Sequence, residues 1–422
     1  MAYNRPVILA PNHNNGFIDP MIIGMLMRQK VRFFARGDVF KGKIAKWVLN
    51  QLSVSPMYRL QEGYSEIKKN DKTFEECRRL LKANKTLLIF PEAICIQERR
   101  LHPLKKGLTR IAFQALESFD YSKDIIVIPI GINYQSPTKF RSKVFIEIGD
   151  PISVKEYEKA FKEDKVKTIN SFTKLIEQEL MPLMHHIDNK NNDVIVDGIE
   201  EIYSHQWLVD KHLNSSEFKN HVVASTEIIE MVNTLDKKEP ELLAALNSKI
   251  IEYMKLLNKN KLRDHLLREE NINKMNIWTF ILEYVIIYLG YPVYVLGMIL
   301  NYLPFYVAKI LADEKVKMVE FYASFRANLS FMFWTLYFIL QVTIVGVVVK
   351  NWMLLFIFSL VTIFSGLFTL VYHSYMKKIL GRWRLLRMVR KERATVEQIM
   401  EVRSGIVEEI REAKKLFMAL KK

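Results

Sequence analysis

The sequence predicts an α/β domain, a sheet flanked by helices, followed by a helical segment and then by C-terminal transmembrane helices. Three observations predict it. Short apolar runs alternate with amphipathic helical patterns as far as Ile152. Between Ser153 and Asn276 the chain is rich in Lys and Glu, and Gly198 is its only glycine. From Ile277 to Tyr375 apolar and aromatic residues dominate.

In the first part, apolar runs predict strands over Pro6–Leu9, Val31–Phe34, Val54–Met57, Thr86–Phe90, Ile125–Ile130 and Val144–Ile148. Helical spacing fills 20–28, 40–52, 64–83 and 105–117. Alternation of this kind argues for a layered α/β domain whose site lies at the loops beyond the strand ends. Phe40, Ile44, Trp47 and Val48 share one helical face beside Lys41, Lys43 and Lys46; that face packs on the sheet or lies at a membrane interface with snorkelling lysines.

The middle part predicts amphipathic helices. Phe172, Leu175, Ile176, Leu180 and Met184 fall at helical spacing, as do Leu242, Leu246, Ile250, Tyr253 and Leu257 after Pro240. Turns are expected near Asn189–Asp193 and Asn214–Glu217. No chemistry is visible there.

Leu329–Val349 and Trp352–Tyr372 are each about 20 residues of nearly uncharged chain, long enough to cross a bilayer as helices, with Lys350-Asn351 as the turn between them. Residues 277–308 differ: Pro292 and Pro304 interrupt them, Glu283 lies inside, and Gly290-Tyr291-Pro292 reads as a break. They form one kinked span or a re-entrant hairpin. Cationic groups follow both regions, at Lys309, Lys315, Lys317 and Arg326 and again from Lys377 to Lys391, which the positive-inside tendency places in the cytoplasm. Two spans plus a re-entrant hairpin satisfy that charge pattern. The tail, 377–422, reads as a basic helix on anionic lipid, with Val396, Ile399, Ile406 and Ile410 on one face. The expected division is therefore 1–152, 153–276, 277–376 and 377–422.

The net charge is +16 over 422 residues. Nucleic acid and anionic membrane both fit such an excess; the apolar spans make the membrane the simpler partner, and no fold motif supports nucleic acid. Two cysteines, Cys77 and Cys95, indicate no disulfide framework. The N-terminus shows no basic region followed by an apolar core, so no secretory signal is expected; either the domain begins abruptly or the start is incomplete. His185-His186 lacks nearby cysteines and reads as surface; no metal site is expected.

Four stretches carry chemistry. The first is Asn12-His13-Asn14-Asn15-Gly16-Phe17-Ile18-Asp19-Pro20, between a strand and a helix. A histidine and a carboxylate on one such loop can converge, and a base oriented by an acid takes a proton from a hydroxyl. The alternative is a loop histidine beside a helix start, with Asp19 capping and Pro20 in the first turn. The second is Ser55-Pro56-Met57-Tyr58-Arg59, where Arg59 follows a strand and can hold a phosphate bidentately, or is a surface arginine. The third is Phe90-Pro91-Glu92-Ala93, continuing through Arg99 and Arg100 to Pro103-Leu104-Lys105-Lys106-Gly107. It sets a carboxylate at a strand end beside a basic cluster, which suits a substrate with hydroxyls and a phosphate. The fourth is Ile126-Val127-Ile128-Pro129-Ile130-Gly131-Ile132-Asn133-Tyr134, another strand that runs into a loop, with Val127-Ile128-Pro129-Ile130 inside it.

In this order the four stretches resemble the glycerolipid acyltransferase family, which includes the lysophosphatidic acid and glycerol-3-phosphate acyltransferases. The resemblance covers the chain up to Ile152 and implies a mixed sheet flanked by helices. Two departures stand out. Five residues separate His13 from Asp19, where four is the commonest spacing, although fungal-type glycerol-3-phosphate acyltransferases look similar to this chain here. Ala93 stands where glycine is usual; if the position needs a positive φ, alanine costs on the order of 1 kcal/mol.

The resemblance implies direct transfer from an acyl thioester, acyl-CoA or acyl-carrier protein, to a glycerol hydroxyl, with no bound cofactor. His13 held by Asp19 would be the base, Arg59 would take the acceptor's phosphate and Glu92 its glycerol end. Lys105 and Arg99 are further candidates for phosphates, against a solvated basic surface. Backbone amides after His13 would stabilise the oxyanion. The first acceptor expected is 1-acylglycerol 3-phosphate, giving phosphatidic acid; the alternatives are glycerol 3-phosphate, a remodelled lysophospholipid, or a silent membrane scaffold. The expected place is the inner, cytoplasmic membrane, with catalytic domain and tail facing the cytoplasm.

Overall fold

Strands buried on both faces read as continuous apolar runs rather than alternating ones, and Val7-Ile8-Leu9, Leu87-Leu88 and Ile126-Val127-Ile128 form such strands. A computed structural model of the chain describes residues 5–40, 42–58, 70–137, 142–268 and 277–421. It divides into two units, Met1–His186 with Val316–Phe325 and Ile187–Lys315 with Arg326–Lys422.

In the first unit, β1 (Val7–Pro11), β2 (Val31–Arg36), β3 (Val54–Met57), β4 (Thr86–Leu88) and β5 (Ile126–Tyr134) pair in parallel. β6 (Val144–Ile148) and β7 (Ile152–Ser153) pair antiparallel with β5. The result is a 7-stranded mixed sheet in the order β3-β2-β4-β1-β5-β6. The helices are α1 (Ile18–Leu26), α2 (Lys43–Gln51), α3 (Asn70–Lys82), α4 (Gly107–Ser118), α5 (Glu158–Glu163) and α6 (Lys165–Leu180). Ile8, Ala10, Leu87 and Val127 join one buried core with Cys77 of α3, Phe113 of α4 and Phe172 of α6. Val7, Leu9, Leu88 and Ile128 join the core on the opposite face with Ile23 of α1. Pro129 sits mid-strand because its carbonyl accepts from Gly149 N, so the N–H it lacks would face the edge where β7 gives way to β6.

Phe161, Phe172 and Ile176 are fully or nearly fully buried against the sheet. The first compact unit therefore includes the chain from Ser153 to His186. Trp47 itself is not packed on the sheet, being 64% exposed.

The second unit is helical: α7 (Asp193–Asp210), α8 (Phe218–Lys238), α9 (Pro240–Lys259), α10 (Ile277–Lys315), α11 (Val319–Val349, which begins in the first unit), α12 (Trp352–Lys391) and α13 (Arg393–Leu420). Trp207, Ile228, Ile250 and Tyr253 share one core with Val396, Ile399, Ile406 and Ile410 of α13. The apolar face expected in the tail exists, but it packs into this bundle rather than onto lipid. Arg403 fixes it further, pairing with the fully buried Asp264, which also accepts from Tyr253 Oη.

Residues 277–315 form one unbroken helix, so the chain does not reverse at Gly290-Tyr291-Pro292. Proline inside a helix removes the N–H that would bond the carbonyl four residues earlier. For Pro304 that carbonyl belongs to Leu300, and Gln341 Nε2 donates to it at 3.0 Å. A neighbouring helix thus supplies the missing donor, the way prolines are tolerated in apolar helices. A Cβ on Gly297 would collide with Thr369 Oγ1 and the Ser365 carbonyl, so glycine permits the close approach of α10 and α12. Asn301 is buried there, donating to the Thr362 carbonyl and accepting from Trp334 Nε1. Arg382 pairs with the buried Glu283. Helices at 278–315, 319–349 and 352–391 are long and apolar enough to cross a membrane by length and composition.

Gln341→Leu should lower thermal stability by about 1 kcal/mol. In a Pro304→Ala background, where residue 304 has its own N–H, the same change should be nearly neutral. Additivity of the two substitutions in a double-mutant cycle would count against this pairing.

Candidate active site

Parallel strands end at one edge of the sheet, and ligands bind at loops beyond that edge. The loops after β1 and β4 and the last residue of β5 meet there. Asn12 anchors the first loop to β5: its side chain donates to the Ile132 carbonyl and accepts from Ile132 N.

His13 and Asp19 converge. His13 Nδ1 lies 2.9 Å from Asp19 Oδ2, with Asp19 fully buried and the His13 side chain 15% exposed. The same oxygen accepts from the amides of Asn14 and Asn15 at 2.8 and 2.7 Å, and Tyr134 Oη donates to Oδ1. Burial, then the Asp19 carboxylate beside it, pushes the Tyr134 phenol far up, so it stays the donor. A carboxylate so placed assigns the proton of His13 to Nδ1 and leaves Nε2 as the basic nitrogen, which no described residue bonds. Phe90 stacks on the imidazole at 3.7 Å between ring centroids.

Glu92 lies at the end of the strand run, 2% exposed. Its two oxygens accept from His13 N at 2.9 Å and His102 N at 3.0 Å. It therefore ties the His13 loop to the basic loop after β4, instead of presenting a carboxylate outward. Burial pushes its carboxyl up to about 7; the amides of His102 and His13 pull the other way, and Asp19 adds to the rise. Ala93 adopts φ 57°, the left-handed region that the usual glycine favours.

The basic loop is held at several points. Ile96 N bonds the His13 carbonyl, Leu101 N bonds His186 Nδ1, and Lys105 N bonds the Pro91 carbonyl. His186 is thus half-buried and holds this loop, not a surface residue. Arg99 is half-buried on the loop, and Lys105 is exposed just before α4. Arg59 lies outside the described residues. Among the described residues no cluster of His, Cys, Asp and Glu could hold a metal ion.

The amides after His13 are all committed. His13 N goes to Glu92, Asn14 and Asn15 to Asp19, Gly16 to the Glu320 carbonyl and Phe17 to Ser324 Oγ. An oxyanion finds no unused donor among them, against the sequence expectation. Tyr134 ends the fourth stretch, where the sequence assigns it no role, and His186 and Ser324 lie outside all four stretches. Tyr134 closes a strand whose end faces the site, which is a usable signal; His186 and Ser324 have no local signal at all.

Residues 1–133 match the Acyltransferase family model. This part of the chain is similar to acyltransferase domains. Glycerol-3-phosphate O-acyltransferase 1 of Saccharomyces cerevisiae is 26% identical over 244 residues, 56% of this chain and 30% of that protein. Glycerol-3-phosphate O-acyltransferase 2 of the same yeast is 26% identical over 141 residues, 33% of this chain and 19% of that protein. An uncharacterised acyltransferase of Schizosaccharomyces pombe is 25% identical over 219 residues, 51% and 30% of the two chains. The chain thus spans 30% or less of the length of these relatives. The crystal structure of the 1-acyl-sn-glycerophosphate acyltransferase PlsC from Thermotoga maritima is similar at a TM-score of 0.28 and 19% identity, over 42% of this chain and 67% of that one.

Ala93→Gly should raise thermal stability by about 1 kcal/mol, since the native φ is one that alanine adopts at a cost; an unchanged or lower melting temperature contradicts it. For Glu92 the folded chain keeps a proton that the unfolded chain loses between 4.5 and about 7. Its contribution to stability is full below the lower value and falls as pH rises through the upper one. Glu92→Gln should remove that fall from the pH profile of unfolding. It should also cut activity, because the amide's NH2 would face a backbone N–H.

Proposed function

We propose that the domain transfers an acyl chain from an acyl thioester to a hydroxyl of a glycerol phosphate. The observation that carries this is the His13–Asp19 pair with Nε2 open. Nε2 takes the hydroxyl proton as the oxygen attacks the thioester carbonyl. The C–S bond then breaks, and the imidazolium returns the proton to the departing thiolate, giving ester and thiol. Asp19, held by Tyr134 and two amides, keeps the ring in the tautomer this needs and stabilises the imidazolium. Because the amides of residues 13–17 are occupied, the donor to the oxyanion comes from elsewhere, and we assign it to the basic loop of Arg99 and Lys105, which Glu92 and Ile96 N tie to the His13 loop.

Glycerol 3-phosphate is the acceptor we favour. The two Saccharomyces relatives bear that name, and the first matches well beyond the domain itself. The longer His13–Asp19 spacing agrees. 1-Acylglycerol 3-phosphate is the second reading, since the four motifs serve both acceptors. Arg59 is the proposed phosphate ligand. We also propose that the protein sits in a membrane with the site on its cytoplasmic side, a reading supported by three helices long and apolar enough to span and by the cytoplasmic supply of thioester donors.

Acyl transfer by the detergent-purified full chain tests this, with each acceptor offered beside acyl-CoA and acyl-carrier protein. Product should form, and His13→Ala should lower kcat at least a hundredfold while leaving folding intact. Unchanged transfer in that variant would sink the mechanism. Tyr134→Phe should cost about tenfold, in line with the loss of one hydrogen bond to an ionised group.

A further inference from the structure

The loop that carries His13 and Asp19 is held by residues more than three hundred positions away. Val316–Phe325 belongs to the same unit as the sheet, although it lies far outside the matched domain. Ser324 is fully buried; its Oγ donates to Asn15 Oδ1 at 2.7 Å and accepts from Phe17 N at 3.2 Å. The Glu320 carbonyl accepts from Gly16 N at 3.1 Å. Phe321 meets Phe17 edge-on, 6.3 Å between centroids. A Cβ on Gly16 would stand 2.5 Å from the Phe321 ring, so glycine is needed for this close approach.

These contacts act on the dyad through Asn15. Its amide donates to Asp19 Oδ2, the oxygen that also binds His13 Nδ1. Its side chain is clamped at both ends, by Ser324 on Oδ1 and by the Pro137 carbonyl on Nδ2. Without Ser324, Asn15 Oδ1 and Phe17 N would both be left without this partner inside the protein, and buried polar groups rearrange to avoid that. The rearrangement would move the amides that fix the Asp19 carboxylate.

We propose that Ser324 is a positioning residue for acyl transfer: the first turns of α11 complete the catalytic loop and set the Asp19 carboxylate against His13. The proposal rests on the acyltransferase reading of the site. It assigns Val316–Phe325 to the catalytic unit, although these residues open a helix whose remaining length is apolar.

The test compares wild type, His13→Ala, Ser324→Ala and Ser324→Thr as full chains in lipid nanodiscs. Two readouts are taken: transfer kinetics against pH, and hydrogen–deuterium exchange of peptides covering residues 13–17. Ser324→Ala should lower kcat about tenfold or more, as misplacement of a catalytic group does. KM should stay within about twofold, the mark of an interaction that matters in the transition state. The acid limb of the pH–rate profile should move, and loop exchange should quicken while the rest of the sheet keeps its protection. Ser324→Thr, which keeps the hydroxyl, should recover most of both. If it is itself unstable, the Ala variant's exchange pattern decides alone. Wild-type kcat and slow loop exchange in Ser324→Ala would overturn the proposal. So would a loss of activity accompanied by uniformly faster exchange, which marks a structural residue only. A wild type with no His13-dependent turnover would instead overturn the acyltransferase reading, and the catalytic role of Ser324 with it.

Discussion

A fully buried carboxylate is the constraint on which the first unit depends. Asp19 is removed from water, and a carboxylate so placed is tolerable only when hydrogen-bond donors surround it. The protein meets that demand with His13, two successive amides and a tyrosine from another strand. Pointing two consecutive N–H groups at one oxygen curls the loop tightly. The curl places His13 over Phe90 and turns Nε2 away from the carboxylate. The arrangement of His13 and Asp19 is thus a consequence of how the carboxylate is buried.

The same economy explains Glu92. A second buried carboxylate sits beside the first, and its oxygens are spent on the backbone of two loops. It fixes the distance between the histidine loop and the basic loop. Ala93 follows immediately in a left-handed conformation. The turn keeps its geometry without glycine because Ala93 N still closes on the Phe90 carbonyl, and the surrounding bonds outweigh a strain of about 1 kcal/mol.

In the helical unit the recurring problem is polar backbone in apolar surroundings. Gln341 caps the carbonyl that Pro304 leaves open, Asn301 links two neighbouring helices, and Glu283 is matched by Arg382. Each is a polar residue that composition alone would count against a spanning segment. Each has its partner on another helix. The tail follows the same logic in reverse: its strong basic character hides a face that completes the core around Trp207 and Tyr253.

Local signals carried much of this protein. The alternating runs, the helical spacing of Leu246, Ile250 and Tyr253, and the His13 and Asp19 positions all depend on neighbours within a few residues, so the sequence by itself determined the α/β domain, the helical middle and the dyad. The two prolines misled, because a broken intrahelical bond is visible in sequence while the Gln341 that replaces it is 41 positions away. The committed amides of residues 13–17, the inward turn of Glu92 and the roles of Tyr134, His186 and Ser324 were likewise decided only by the tertiary structure. The physical reason is common to all of them. A hydrogen bond between side chain and backbone leaves no periodicity in the chain, and the partners that satisfy a buried group are chosen by which strands and helices the fold brings alongside it.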